Sequence, residues 1–291
     1  MTTRAQRLLA FIRKELNLSQ TTASQAAPGG GNQGRADREA SHIVVRDLRF
    51  RVERKEVLRG VDVEARPGEI LCVMGMSGSG KTTLLHCIGG LTAPTSGEIW
   101  IGPDQIVGMS EDELNHVRER MGMVFQYAAL FDSLNVFDNV SFALRRRRKM
   151  AYEEMKAIVN EKLTTVGLSG IENLFPSQLS GGMAKRVGLA RAIALTPEIL
   201  LYDEPTSGLD PVVASVVDEL IMRMRDELGV TSIVVSHNIT SIMRISDRIA
   251  MIHQGEVLIQ GTPSEVQAST NPIVRQFLEG SSSGPIEVAH L

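Results

Sequence analysis

The fold is decided by one eight-residue stretch, Gly75-Met76-Ser77-Gly78-Ser79-Gly80-Lys81-Thr82. It follows a run of apolar residues that ends at Met74, and it precedes a segment of helical character that begins at Lys81. An apolar strand, a loop of the form Gly-x-x-x-x-Gly-Lys-Ser/Thr and a helix, in that order, indicate a phosphate-binding loop. Glycines let the backbone wrap closely around phosphate oxygens, and the helix N-terminus adds about half a positive charge. The stretch therefore predicts a site for a phosphorylated ligand.

Polar residues follow two later apolar runs. The first run ends in the adjacent carboxylates Asp203 and Glu204, and the second is followed by His237. Asp203 suits Mg²⁺, held directly or through water, with the Thr82 hydroxyl as a further ligand. Glu204 suits the polarisation of an attacking water, and Lys81 supplies a charge toward the β and γ phosphates, which is what phosphoryl transfer needs. By itself, His237 is compatible with a γ-phosphate contact and with a structural role.

The composition excludes several classes of protein. The chain has 291 residues, of which 43% are hydrophobic and 22% are charged, as in an ordinary globular protein. No apolar run approaches the roughly 18 residues of a membrane-spanning helix, so the chain alone is not predicted to form a transporter. The net charge of −3 argues against nucleic acid as the main partner. The two cysteines exclude a disulfide scaffold and a four-cysteine zinc site.

The chain divides into three parts. Residues 1–42 contain a short basic amphipathic segment and a Pro- and Gly-rich stretch, which predict a flexible extension. Residues 43–280 alternate strand-like and helix-like segments, which predicts a parallel α/β core, and residues 281–291 are a short tail. A mostly helical stretch at about 127–185 is predicted to be an inserted subdomain. The amphipathic segment is either a loosely ordered tail or a contact with a membrane or a partner helix.

Several motifs, taken in their order along the chain, resemble those of an ATP-binding cassette (ABC) domain. Beyond the phosphate loop and the carboxylate pair, they are the Q-loop glutamine Gln126, the signature Leu179-Ser-Gly-Gly182, the D-loop Ser207-Gly-Leu-Asp210 and the switch histidine His237. The resemblance covers about residues 43–280. It implies an α/β fold, with a P-loop NTPase core of ABC type, an inserted helical subdomain and an N-terminal antiparallel β region.

The resemblance also implies which residues bind and hydrolyse ATP with Mg²⁺. The expected catalytic residues are Lys81, Glu204 and His237, and the expected metal ligands are Thr82, Gln126 and Asp203. The expected ATP-binding residues are Gly75, Met76, Ser77, Gly78, Ser79, Gly80, Lys81, Thr82, Thr83 and Phe50. Ser180, Gly181 and Gly182 are expected to bind the ATP of a partner subunit in trans, and Asp210 belongs to the D-loop.

Phe50 is a candidate for stacking on adenine. Many cassettes have a tyrosine at the position of Val52, and Phe50 is the nearest aromatic, two residues earlier and hence on the same face of a regular strand. The alternative is that Phe50 is an aromatic residue of the core.

Two segments resemble a subgroup, the MCE-associated, MlaF-type ATPases of bacterial phospholipid trafficking. They are the stretch 179–192, in which Met183 stands where many cassettes have glutamine, and the stretch Val274-Arg-Gln-Phe-Leu-Glu-Gly280. This resemblance implies a head-to-tail homodimer beneath two permease subunits, peripheral at the cytoplasmic face of the inner membrane. It also implies a periplasmic MCE lipid-binding protein and a small STAS-domain protein as partners. The cargo would be glycerophospholipid moved between the inner and outer membranes.

Other interpretations stay open. An importer or exporter of another substrate would have the same ATPase site. A soluble cassette ATPase that acts on DNA is disfavoured, because the stretch between Gln126 and Ser180 lacks heptads and cysteine pairs. The basic run Arg145–Lys149 is compatible with a solvated helix end and with a contact to anionic headgroups.

Overall fold

The computed structural model describes residues 42–147 and 149–286. The predicted N-terminal extension lies outside the described residues, except for His42. So do Arg148 of the basic run and the last five residues of the tail.

The described residues form ten strands. They are β1 (Ile43–Val52), β2 (Lys55–Ala65), β3 (Ile70–Met74), β4 (Ser96–Ile101), β5 (Asp104–Gln105), β6 (Met121–Val124), β7 (Ile199–Asp203), β8 (Thr231–Val235), β9 (Arg248–His253) and β10 (Glu256–Gly261).

The strands form two sheets. Six of them pair in the order β10-β9-β3-β8-β7-β6, and all neighbours run parallel except β9 and β10. Strands β3, β7 and β8 are buried along their whole length, as expected of parallel strands covered on both faces. The other four form an antiparallel sheet in the order β2-β1-β4-β5, where Ile43 lies opposite Ala65 on one side and Ile101 on the other.

Nine α-helices and one short 3₁₀ helix, Pro176–Gln178, accompany these sheets in the described part of the chain. The α-helices are α1 (Lys81–Ile88), α2 (Glu111–Arg118), α3 (Val136–Arg147), α4 (Tyr152–Thr165), α5 (Gly181–Ala192), α6 (Pro211–Leu228), α7 (Ile239–Ile245), α8 (Pro263–Gln267) and α9 (Pro272–Glu279).

Local sequence accounts for the ends of α6. The Asp210 side chain accepts hydrogen bonds from the backbone N–H groups of Val212 and Val213, and Pro211 occupies the first turn, where its missing N–H is not needed. Gly229 ends the helix with φ +66°, a left-handed conformation that glycine adopts easily.

Helices α3, α4 and α5 pack against one another and extend the core of the six-stranded sheet. Fully buried apolar residues join them, among them Val140, Leu144, Val159, Leu163 and Val187. Helix α5 also contacts β6, where Gly122 leaves no room for a side chain, since an added Cβ would lie 2.5 Å from the Ala192 carbonyl oxygen. The helical insert is therefore attached to the sheet mainly through α5.

The predicted fold class is confirmed: an antiparallel β region, a parallel core and an inserted group of helices are all present. Helices α3 and α4 lie within the predicted range of 127–185, whereas α5 begins there and continues to Ala192. Strands β4, β5, β6, β9 and β10 and helices α2, α7, α8 and α9 were not predicted. Strand β6 is only four residues long and contains a glycine, so its apolar run is too short to be recognised.

Within the described residues, no helix is both long enough and apolar enough to cross a membrane.

We expect Leu163→Ala to lower the free energy of unfolding by about 2–5 kcal/mol, because Leu163 is fully buried between the helices of the insert and its truncation leaves a cavity. Leu91→Ala is the matched control, since that side chain is half exposed and should cost about 0.5 kcal/mol or less. Urea unfolding followed by circular dichroism measures both. Equal losses in the two variants would contradict the core described here.

Candidate active site

The phosphate loop connects β3 to α1 and depends on its glycines. Gly75, Gly78 and Gly80 have φ angles of +147°, +77° and +107°, which L side chains rarely adopt. Space is also short, because a Cβ at Gly75 would lie 2.1 Å from the Ile252 carbonyl oxygen and one at Gly80 would lie 2.7 Å from Leu58 Cδ2. At Gly75 and Gly80 the loop backbone therefore packs against neighbouring strands at distances that leave no room for a side chain.

Lys81 is the first residue of α1 and is held by the loop itself. Its ammonium donates to the carbonyl oxygens of Gly75, at 2.8 Å, and Met76, at 2.9 Å. Burial lowers the pKa of Lys81, and the carboxylates Glu204 and Asp203 oppose that shift. A cation thus lies inside the loop, with two carboxylates near it.

The Thr82 hydroxyl and the Asp203 carboxylate lie side by side. Thr82 Oγ1 donates to Asp203 Oδ1 over 3.0 Å, and Asp203 is buried as the last residue of β7. Burial raises the pKa of Asp203, while the Thr82 hydrogen bond and the charges of His86 and Lys81 lower it. The described residues contain no cluster of three or more His, Cys, Asp or Glu that would hold a metal by themselves. One hydroxyl and one carboxylate fit Mg²⁺, which takes few protein ligands and completes its shell with substrate phosphates and water.

Glu204 has an unusual backbone. Its φ angle is +47°, and its N–H donates to the Val235 carbonyl oxygen at 2.9 Å. Its carboxylate Oε2 lies 2.8 Å from His237 Nδ1, 3.4 Å from the backbone nitrogen of His237 and 3.5 Å from Ser236 Oγ. The structure therefore joins Glu204 and His237 in one hydrogen-bonded unit, with the imidazole largely exposed beside the buried carboxylate.

A cavity of about 890 Å³ lies beside Lys81, Thr82, Glu204 and His237, whereas Asp203 does not line it. Residues Gly75–Gly78 and Gly80–Thr83 line it, together with Gln126, Glu204 and His237. Ser79 does not line it, although its buried hydroxyl has no hydrogen-bond partner among the described residues. Gln126 lies beside the D-loop, since its Nε2 donates to Ser207 Oγ at 3.4 Å.

Some of the predicted site residues lie elsewhere. Ser180 and Gly181 are exposed at the start of α5, Gly182 is buried beside them, and Asp210 caps α6; none of the four lines the cavity. Phe50 does not line the cavity either, because it packs against the core beneath the antiparallel sheet. Its role in binding adenine stays a prediction.

Sequence reasoning missed several residues that line the cavity. They are Lys55, Val57, Ile239, Gln276, Phe277, Gly280, Ser281, Ser282 and Ile286. Gln276, Phe277 and Gly280 belong to the stretch Val274–Gly280 that resembles the MlaF-type subgroup, but nothing in that stretch predicts a place beside the nucleotide. The other six belong to no motif, so only tertiary structure reveals them. Ser236, which contacts the Glu204 carboxylate, was also missed, although its position at the end of the apolar run before His237 could have indicated it.

Comparison with known proteins identifies the family. The family model described as ABC transporter matches residues 58–207, which is more than half of the chain. The chain belongs to the ABC transporter family. As an ABC ATPase subunit it hydrolyses ATP, with Mg²⁺ as the cofactor.

Individual proteins similar to this chain support the same assignment. The Escherichia coli K12 "Intermembrane phospholipid transport system ATP-binding protein MlaF" is 41% identical over 247 residues, which cover 85% of this chain and 92% of MlaF. The Arabidopsis thaliana protein TRIGALACTOSYLDIACYLGLYCEROL 3, chloroplastic, is 44% identical over 84% of this chain and 75% of its own length. The solved dimeric structure of the ABC transporter cassette MJ0796 has a TM-score of 0.71 at 34% identity, over 76% of this chain and 98% of that one.

We expect Glu204→Gln in this ABC ATPase to preserve ATP binding and to lower kcat for ATP hydrolysis at least about 100-fold, as the loss of a general base does. The change keeps the size of the side chain and its contact with His237, but it removes the negative charge. ATP turnover and equilibrium ATP binding by the purified protein measure the two effects separately. Near-normal turnover in the variant would exclude Glu204 as the residue that orients the attacking water.

Proposed function

We propose that this chain is the ATP-hydrolysing subunit of a transporter that moves glycerophospholipid between the inner and outer membranes. The observation that carries the proposal is the 41% identity to MlaF over 92% of its length, because MlaF is named for intermembrane phospholipid transport. Met183 adds support, since it replaces the glutamine usual after the signature glycines and packs against the core of the insert. An importer or exporter of another substrate is the alternative.

The site suggests a division of labour in hydrolysis. Glu204 orients and polarises the attacking water, and His237, hydrogen-bonded to Glu204, contacts the γ phosphate. Lys81 and the N–H groups of the phosphate loop bind the phosphate oxygens, and Thr82, Asp203 and Gln126 would hold Mg²⁺. When bound, Mg²⁺ neutralises charge on the phosphate oxygens.

We further propose a head-to-tail homodimer. The exposed Ser180 and Gly181 lie outside the cavity of their own chain, which is consistent with binding the ATP of the partner. Beyond Gln126, the aromatic residues Tyr127 and Phe131 are exposed, and Tyr127 is 86% exposed. These side chains offer a surface to one of two permease subunits, which would hold the protein at the cytoplasmic face of the inner membrane. A periplasmic MCE lipid-binding protein and a small STAS-domain protein complete the proposed complex.

Phospholipid transport can be tested with the intact complex, purified through a tag on this chain and reconstituted into liposomes that contain fluorescent phosphatidylethanolamine. We expect movement of the lipid between the transporter and acceptor liposomes to require ATP and Mg²⁺, and to stop in the complex that carries Glu204→Gln. A complex that hydrolyses ATP at the normal rate but moves no phospholipid would favour the alternative of another substrate.

Binding in trans can be tested with mixed dimers that carry Lys81→Ala and Ser180→Arg. When the two changes are on different subunits, both fall on the same composite site, and the other site is intact. When both are on one subunit, each site has one lesion. We expect higher nucleotide occupancy in the first arrangement, measured by titration with a fluorescent ATP analogue. Equal occupancy in the two arrangements would contradict binding in trans.

A further inference from the structure

Lys185 lies on helix α5, five residues after Ser180, and is buried. Its ammonium donates to the backbone carbonyl oxygen of Glu204 at 3.2 Å. The surroundings are mostly apolar: a small cavity of about 10 Å³ beside it is lined by Val124, Arg186, Leu189, Tyr202, Pro205, Val217 and Leu220. Burying an ammonium costs free energy unless it has a hydrogen-bond acceptor. The Glu204 carbonyl supplies that acceptor.

The backbone of Glu204 needs such support. A non-glycine residue in the left-handed region costs about 1–3 kcal/mol and persists only where its surroundings hold it. The N–H of Glu204 is held by the Val235 carbonyl oxygen, and its own carbonyl accepts from Lys185 Nζ and from the Ser207 N–H at 3.2 Å. The conformation is therefore fixed on both sides of the residue, by β8 on one side and by α5 on the other.

The direction of the Glu204 side chain follows from that conformation. The chain leaves β7 at Asp203 and turns at Glu204, so the carboxylate reaches Ser236 and His237 while the carbonyl points toward α5. Lys185 itself does not line the nucleotide cavity. An effect of Lys185 on hydrolysis therefore acts at a distance from the nucleotide, through its hydrogen bond to the Glu204 backbone and through the charge of the ammonium near the Glu204 carboxylate.

We propose that Lys185 is a positioning residue for ATP hydrolysis, which holds the main chain of Glu204 so that the carboxylate stays aimed at the attacking water. The proposal rests on the role proposed above for Glu204. It assigns a catalytic consequence to a side chain that lies beyond the signature Leu179–Gly182 and outside the nucleotide cavity.

The first test compares substitutions of Lys185 in the intact complex. Lys185→Met removes the ammonium and keeps the apolar stem, and we expect kcat to fall about 10- to 100-fold, the scale of effect seen when a catalytic group is misplaced. KM for ATP and the equilibrium affinity for ATP should change less than about twofold. Lys185→Arg retains a charged donor and should recover kcat to within about threefold of the unsubstituted complex.

The matched control is Lys162→Met. Lys162 is as buried as Lys185, at 8% exposure for each, but it lies on α4 and pairs with Glu161. We expect its loss to lower thermal stability without changing kcat. If Lys185→Met prevents assembly of the complex, Lys185→Gln replaces it, because its shorter amide cannot reach the carbonyl. A Lys185→Met or Lys185→Gln variant that assembles and keeps normal kcat would overturn the proposal.

A double substitution separates the two proposals. In the Glu204→Gln background, single-turnover hydrolysis should be unchanged within about twofold by Lys185→Met, since residues that act as a unit are not additive. A further tenfold loss would show that Lys185 acts elsewhere. Normal hydrolysis by Glu204→Gln alone would instead refute the role of Glu204, whereas a defective Glu204→Gln with a fully active Lys185→Met would refute only the role of Lys185.

Discussion

The parallel pairing of β3, β8 and β7 is the constraint on which the site depends. In this register Val73 lies beside Val235, and Val235 lies beside Asp203, so the three strands end at the same edge of the sheet. The phosphate loop follows the first strand, His237 follows the second, and Glu204 follows the third. Since the carboxyl ends of parallel strands form the crevice in which α/β proteins bind ligands, the pairing alone brings together groups that are far apart in sequence.

Close contact between the two sheets adds the other wall of the cavity. The turn between β9 and β10 meets β2, where Arg59 N–H donates to the Gly255 carbonyl oxygen at 2.8 Å. A Cβ at Gly255 would lie 2.5 Å from the Val57 carbonyl oxygen, so the contact requires glycine. This contact brings Val57 and Lys55 to the lining of the cavity. The antiparallel sheet thus contributes to the nucleotide site without supplying a recognisable motif.

Site residues could be predicted from the sequence where the residues that set the local backbone also carry the chemistry. Lys81 belongs to a loop whose form is set by local glycines, and Asp203, Glu204 and His237 each end or follow an apolar strand, so their positions could be predicted. Residues brought in by tertiary packing could not. Lys185 lies in the middle of a helix and has no neighbour in sequence that indicates a link with β7.

The hypothesis that Phe50 stacks on adenine assumed that side chains alternate regularly along β1. Phe50 and Val52 belong on one face of a regular strand, but the pairing of β1 with β2 shifts register between Phe50 and Arg51. Such an irregularity re-aims the side chains that follow it. Accordingly Phe50 packs against the core while Val52 is half exposed. The sequence carries no local sign of this shift, because no glycine or proline lies within β1.

Helix α5 connects Ser180 and Lys185, two residues for which we propose roles in ATP binding and hydrolysis. Its N-terminus is capped by Ser180, which we propose to serve the partner's ATP, and Lys185 lies less than two turns further along. Because Ser180 and Lys185 lie on one helix, a rigid-body displacement of α5 at the signature would also displace the ammonium that holds Glu204. The same helix contacts α3, α4 and β6, and Arg191 near its end donates to the carbonyl oxygens of Ala128 and Ala129, just beyond Gln126. Closure of the proposed dimer, and movement of the segment after Gln126 that we propose to face the permease, would therefore both act on the Glu204 backbone through α5.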